Sequence, residues 1–406
     1  MSQVPAHSLA IIGAGPIGLE AAAAALELGF DVHVFERGEV GAHALAWGHV
    51  RMFTPWRMNV GPASARLLQA HGWTAPPAEE RPSGQEFAER LLEPLANTPE
   101  LKARVHTHSQ VVYVSRRGQL KGDHAGTPAR RSTPLRLLVR DAGGRENFLH
   151  AFAVIDASGT YGSPQRAGSG GIPARNELYL APQLTYHVDD VLGLRRERYA
   201  GKRTLVLGGG MSAATSVAAL AQLARETPGT TALWVTRTAT PHVAEASDDD
   251  ALSARAALAA EARGFMNGAE AAVTWAGGAM VEGLEYNSGT HRYRVQLAIG
   301  EQARVEEVDQ VIVNTGYGPD RSLAAQLQVQ ECPCSDAPPK LSAVLRGEAS
   351  PPASPAELLQ HLEPDFYIVG AKSYARYNGF QLATGHGQVA SVLAKLAADR
   401  LSPAGA

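Results

Sequence analysis

The residues of this sequence best placed to do chemistry are glycines. Gly13, Gly15 and Gly18 lie in "LAIIGAGPIGLEAA" at G-x-G-x-x-G spacing. In such a set the first glycine permits a sharp turn out of a strand. The second lets a pyrophosphate approach the backbone, and the third lets the following helix pack closely. The helix N-terminus, opening at Pro16 and Ile17, offers a partial positive charge and, from Ile17 onward, unpaired N–H groups to phosphate. Glu36 follows 21 residues after Gly15, at the end of the apolar stretch Val32–Phe35. A carboxylate there accepts hydrogen bonds from ribose hydroxyls, which suits an adenosine without a 2′-phosphate. Arg37 adjoins it and is taken as part of the same site.

A second set stands in "LVLGGGMSAAT", Leu205–Thr215. Gly208 and Gly210 fill the first two positions, and Ala213 supplies the third, where a small side chain is tolerated. Met211 and Ser212 open the helix, and Ser212 adds a hydroxyl. Arg237 ends "LWVTR", where the first set has Glu36. A guanidinium at that point pairs with a 2′-phosphate and stacks on adenine. The two turns therefore predict different dinucleotides: FAD or NAD at the first, NADPH at the second.

Each set needs a strand, a tight turn, a helix and another strand to hold it. Leu9–Ile12 reads as a buried parallel strand, with an alanine-rich helix ending near Gly29 and a strand from Val32 to Glu36. Leu205–Leu207, Ser212–Arg225 and Ala232–Val235 repeat the plan about 195 residues later. Downstream of each unit an apolar strand runs into small residues, in "AVIDASGTYGSP" and "QVIVNTGYGPD". The segment "DFYIVGAKSYARYNGFQLATGHGQVASVLAKLAA" supplies a last strand, loop and helix. The expected fold is α/β, with two Rossmann-like three-layer domains, the second, NADPH-binding domain inserted in the first. The expected spans are 1–185 and 326–406 for the first domain and 186–325 for the second.

Composition narrows the function classes. The 406 residues suffice for two domains, and a net charge of -3 gives no basic footprint for nucleic acid or an anionic membrane. Glu20, Glu27 and several glycines break the most apolar window, so no membrane span is expected. "MSQVPAHS" has no basic stretch leading into an apolar run, and the expected location is the cytoplasm. The two cysteines, Cys332 and Cys334, flank a proline and read as ordinary thiols in a reducing compartment. His106 and His108 have no further ligands near them in sequence, and no metal is expected. Asp248–Asp250 reads as a solvated helix start. "WGHVRMFTPWRMNV" is rich in aromatic and basic residues, and Arg51 within it is a candidate pyrophosphate contact.

Two such units, each followed by a strand ending in small residues, resemble the flavoproteins with two dinucleotide-binding domains. Within these the chain is most similar to the flavin-containing monooxygenases, including their N-hydroxylating and Baeyer–Villiger relatives. The resemblance implies FAD at Gly13, Gly15, Gly18 and Glu36, and a backbone hold on adenine at Val111. Ala157, Ser158 and Gly159, with Gly370 and Gln388, match the segments that close over FAD. Thr315 and Gly316 match the second copy, on the NADPH side. It further implies that NADPH reduces FAD, that dioxygen adds at flavin C4a, and that oxygen passes to a small nitrogen- or sulfur-containing compound. His386, near the start of the last helix, and Asn59 are the candidate catalytic residues. Tyr374, Tyr377 and Phe380 are candidate pocket walls. A monomer or homodimer is expected. A FAD-dependent NAD(P)H oxidoreductase serving a quinone or protein acceptor, or a flavin-bearing redox sensor, uses the same motifs. The disulfide reductases on this scaffold need a cysteine pair in one of the two domains; neither Gly41–Trp56 nor Met211–Arg263 contains a cysteine, and Cys332 and Cys334 are misplaced for that role.

Overall fold

Strand Ser8–Ile12 is buried along its whole length because layers cover both of its faces. In the computed structural model, which describes residues 7–245 and 252–401, this strand lies at the centre of a parallel sheet. The sheet order is Phe366–Ile368, Ala153–Asp156, Ser8–Ile12, Asp31–Phe35 and Val105–His106. Ile12 pairs with Phe35 on one side and Asp156 on the other, which brings three strand ends to one edge. On one face an antiparallel sheet of Gln110–Arg116, Leu135–Arg140 and Glu146–Ala151 sets Val111, Val114 and Leu137 against Ala10, Ile12 and Val154. Helix Pro16–Glu27 packs against helix Leu382–Leu401 and strand Asp31–Phe35. Truncating a core residue such as Ile11, which is fully buried, costs about 2–5 kcal/mol in general.

The second unit repeats the layers. Val273–Gly277, Thr231–Thr236, Arg203–Leu207 and Gln310–Val313 form a parallel sheet in that order. Helices Met211–Glu226 and Ser253–Met266 bury Val217, Leu220 and Phe265 with Val206 and Trp234. An antiparallel sheet of Ala279–Asn287, Arg292–Ile299 and Gln302–Val308 contributes to a second cluster, around Leu205, Leu207 and Val235.

The chain divides into residues 1–48, 54–163 and 318–406 in the first unit and 49–53 and 164–317 in the second. The junctions thus fall earlier than the expected 185/186 and 325/326. Residues 164–185 go with the second unit because Ala167, Ala174, Leu180 and Leu184 enter its core, and Thr185 bridges to Ile312. Glu177, fully buried, secures this stretch by accepting from the Ala167 and Ala174 amides and the Tyr186 hydroxyl. Asp248–Asp250 lies outside the described residues. No helix among the described residues is long and apolar enough to cross a membrane.

Candidate dinucleotide-binding sites

At the first turn the backbone demands glycine for two separate reasons. Gly13 has φ of +100°, and a Cβ on it would sit 2.8 Å from the Ala157 carbonyl oxygen. Gly18 comes so close to Gly13 that a Cβ would lie 1.9 Å from the Gly13 carbonyl oxygen. The tight third position thus faces the turn itself. Gly15 differs: it caps helix Pro16–Glu27, and nothing lies within 4 Å of where its Cβ would be. That open space is part of a cavity of about 320 Å³. Gly13, Gly15, Pro16, Ile17, Glu36, Arg37, Val111, Ala157, Ser158, Gly159 and Gly370 all line it.

Glu36 is held before any ligand arrives. Its Oε2 accepts from the Ala14 amide at 2.9 Å and its Oε1 from the Gly38 amide at 2.8 Å. A carboxylate has about four acceptor positions, so hydroxyl acceptors are left over. Val111 stands at a register shift in its antiparallel pair, a break in the ladder at the cavity wall.

Three cavity residues were not singled out from sequence. Lys372, only 5% exposed, donates from Nζ to Asp156 Oδ2 at 2.7 Å and to Ser158 Oγ at 3.1 Å. Asp156 Oδ1 in turn accepts from the Ser158 hydroxyl at 2.6 Å and the Ser158 amide at 3.0 Å. The strand-end motif is therefore a buried ion pair with a hydroxyl bridge. His43 and Tyr161 also line the cavity, their rings 5.1 Å apart. Burial, partly offset by Glu36, holds the His43 imidazole below its ordinary value. No sequence spacing marks these residues; the tertiary fold alone brings them to the cavity.

Other expected residues take different roles. Gln388 lies outside the cavity lining; its Oε1 accepts from the Gly370 amide and its Nε2 donates to Ser373 Oγ. It fixes the loop that carries Gly370 and Lys372. His386 is 9% exposed and likewise outside the lining. Burial lowers its basicity while the Glu20 carboxylate raises it. It is neither an exposed helix-start histidine nor a cavity group, because it turns toward the interior of its helix pair. Leu382 and Phe380 bring the start of helix Leu382–Leu401 to the cavity instead. Asn59 is 1% exposed, accepting from Thr54 Oγ1 at 2.7 Å and donating to the Thr54 carbonyl at 3.0 Å. It clamps its own turn and does not line the cavity. Arg51 falls in residues 49–53, which group with the second unit, so it too is absent from the cavity wall. His106 stacks on His33 and Phe35.

The second turn repeats the geometry with one relaxed position. Gly208 has φ of +140°, and a Cβ there would lie 2.2 Å from the Asn314 carbonyl oxygen. Gly210 caps helix Met211–Glu226 and, like Gly15, has nothing within 4 Å of its absent Cβ. Ala213 is fully buried, its Cβ 3.2 Å from the point where one on Gly208 would lie. Met211 and Ser212 form the first turn of the helix. Asn314 accepts from Ser216 Oγ at 2.8 Å, while its own Nδ2 is buried without a partner beside the turn. Thr315 Oγ1 donates to the Gln165 carbonyl, and the Gly316 carbonyl accepts from the Gln165 amide, which ties this strand end to the start of the unit. Arg237 directly follows strand Thr231–Thr236 and is exposed.

A family model described as pyridine nucleotide-disulphide oxidoreductase matches residues 10–121. No curated protein sequence matches the chain. Among solved structures, the bacillithiol disulfide reductase of Bacillus cereus superposes with a TM-score of 0.69 at 16% identity, covering 97% of this chain and 99% of that one. The ornithine N-hydroxylase of Kutzneria sp. 744 gives 0.63 at 16% identity, covering 97% and 100%. The thioredoxin reductase of T. acidophilum gives 0.61 at 15%, covering 98% and 100%. Over nearly its whole length, the chain has the fold of the two-domain Rossmann-type flavoproteins, N-hydroxylating monooxygenases and thioredoxin reductases among them.

Proposed function

We propose that the protein is an FAD-dependent oxidoreductase reduced by NADPH, and specifically a monooxygenase acting on a small nitrogen- or sulfur-containing nucleophile. The observation that carries this reading is the cavity over Gly15, where the wall is complete but the space a pyrophosphate needs is open. The Ile17 amide and the positive end of helix Pro16–Glu27 would face the phosphates, Pro16 fixing the first turn without an N–H to give. Glu36 and Arg37 would hold the adenosine, the Val111 backbone its adenine edge, and Ala157–Gly159 with Gly370 the remainder. Bound FAD supplies two-electron reduction and dioxygen activation. The chain's share is to orient it, keep the site dry and place charge. The start of helix Leu382–Leu401 puts the positive end of a helix dipole at the cavity wall, where negative charge on bound FAD would gain from it, while the Lys372 ammonium is balanced by Asp156. At the second turn, Gly208, Gly210, Met211, Ser212 and Ala213 would cradle NADPH. Arg237 would take the 2′-phosphate, and Thr315 and Gly316 would bound the site.

The oxygenase assignment draws support from the ornithine N-hydroxylase fold match together with the composition of the wall. The disulfide reductases share the fold, yet no residue lining this cavity is a cysteine, and the chain has only two. Thiol exchange at the cavity therefore has no nucleophile. The test is to screen amines and sulfides for stimulated NADPH oxidation under ¹⁸O₂. Incorporation of one labelled atom into product is expected. Stoichiometric NADPH consumption with unlabelled product would overturn the oxygenase and leave an oxidoreductase with another acceptor. Arg237→Ala should raise the KM for NADPH about tenfold or more while moving that for NADH little, the loss of one charge-assisted phosphate contact.

A further inference from the structure

Away from the cavity lining, "ECPCSD" folds into a turn that carries both cysteines, one on either side of Pro333. The Cys332 carbonyl accepts from the Ser335 amide at 3.2 Å and the Asp336 amide at 2.9 Å, and the Cys332 amide donates to the Ala337 carbonyl at 2.8 Å. The turn holds alternate Cα atoms closer than the roughly 7 Å of extended chain, toward the roughly 4.4–6.8 Å a disulfide spans. Cys334 is exposed, and Cys332 is 8% exposed. Arg346 Nη1 donates to Cys332 Sγ at 3.3 Å and to Ser342 Oγ at 2.6 Å. Ser342 Oγ also meets Ser335 Oγ at 2.8 Å and Tyr377 Oη at 3.2 Å.

This setting stabilises a thiolate. The Ser342 hydroxyl first, then the Cys334 amide, Ser335 and the Arg346 guanidinium, bring the Cys332 thiol down to about 6. At neutral pH it is mostly the nucleophilic form. The same groups reach the cavity loop: the Arg376 amide donates to the Ser335 carbonyl, and Tyr377 meets Ser342. Residues 371–380, the short helix Ala371–Tyr374 and the chain that follows it, include Lys372 and Phe380, both on the cavity wall.

We propose that Cys332 and Cys334 are a peroxide-oxidised dithiol whose disulfide closes across Pro333 and loosens the 371–380 loop. The Cys332 thiolate attacks one oxygen of a hydroperoxide. The O–O bond breaks, the departing oxygen takes a proton as water or alcohol, and Cys332 becomes a sulfenic acid. The Cys334 thiol then attacks that sulfur, the S–S bond forms, and the sulfenic oxygen leaves as water. Two thiols give up two electrons and two protons, and the peroxide takes them. Disulfide formation removes the anionic acceptor of Arg346 and redistributes the Ser335–Ser342–Tyr377 hydrogen bonds. A bridge in so short a loop is strained and readily re-reduced, as expected for a reversible device.

The test uses full-length protein and hydrogen peroxide. Mass spectrometry should find the Cys332–Cys334 peptide lighter by two hydrogens, restored by dithiothreitol. In Cys334→Ser, whose site is exposed, dimedone should capture a sulfenic acid at Cys332. Alkylation of Cys332 in that variant should rise through a midpoint near pH 6, and Arg346→Gln should shift the midpoint upward. Peroxide should speed amide hydrogen exchange of residues 371–380 several-fold in the wild type and leave Cys332→Ser unchanged. A peptide of unaltered mass, or alkylation with the midpoint of a free thiol near about 8.5, would overturn the dithiol. Disulfide formation with unaltered exchange would overturn its link to the loop.

Discussion

A methyl group added to Gly13 meets the Ala157 carbonyl oxygen and a left-handed backbone, whereas one added to Gly15 meets open space. The two glycines thus separate folding from binding. Gly13→Ala should lose about 1–3 kcal/mol in urea unfolding, from strain alone. Gly15→Ala, with φ of -82°, should unfold within about 0.5 kcal/mol of wild type and yet purify without flavin absorbance. Full flavin content in Gly15→Ala would contradict the placement of the pyrophosphate. Lys372 makes a second residue-level case. Its Nζ neutralises an Asp156 side chain that has no exposure, so Lys372→Met strands a buried carboxylate. The expected loss is about 3–5 kcal/mol, and Asp156→Asn in the same chain should restore part of it because the stranded charge is gone. A double-mutant cycle by urea unfolding measures this, and additive losses would mean that the pair is not coupled.

At the level of elements, the two βαβ units set the same helix against turns of different tightness. Gly18 sits so near the Gly13 carbonyl that a side chain has no room, while Ala213 is accommodated beside Gly208. Gly18→Ala should therefore destabilise and release flavin. Ala213→Gly should cost only about 1 kcal/mol, the helix propensity difference, and leave the NADPH KM near wild type; thermal unfolding and steady-state kinetics check the pair. The two glycine turns and their helices were legible because Leu9–Ile12 and Leu205–Leu207 are unbroken apolar runs that end at a glycine, and Gly15 and Gly210 stand just before the helices. The expected Ser212–Arg225 became Met211–Glu226. The antiparallel sheets were not counted in advance. Residues 110–116 alternate only partly in burial, and 302–308 are largely exposed, so their pairing is fixed by neighbours and not by their own pattern. Site legibility has the same limit. Backbone roles at Gly13, Gly15, Gly208 and Gly210 follow from spacing. The side-chain directions of His386, Asn59 and Lys372 follow only from packing.

Over the whole molecule, the first unit is built from segments far apart in sequence, and one short stretch fastens them. Arg116 and Arg130, from the antiparallel sheet and the loop before its second strand, meet Glu363 at 2.7 and 2.8 Å, with almost no exposure on any of the three. His361 lies two residues away, its Nδ1 accepting from the Gln330 amide and its Nε2 buried without a partner. Burial pushes this imidazole down to about 4, so the folded chain holds it neutral. Between about pH 4 and the unfolded value near 6.5, the unfolded state binds more protons. Stability therefore rises with pH across that window and is lost as pH falls through it. The full swing is at most about 3.4 kcal/mol, at about 1.4 kcal/mol per pH unit. Asp365 works in the opposite sense, because burial raises its carboxyl, which favours the folded state on the acid side. Urea unfolding from pH 7 to pH 4.5 should thus show falling stability in the wild type. His361→Asn should flatten that slope by about 2 kcal/mol over the window, since its side chain carries no proton to gain. An unchanged slope in the variant would assign the acid sensitivity to other groups and place His361 in contact with water.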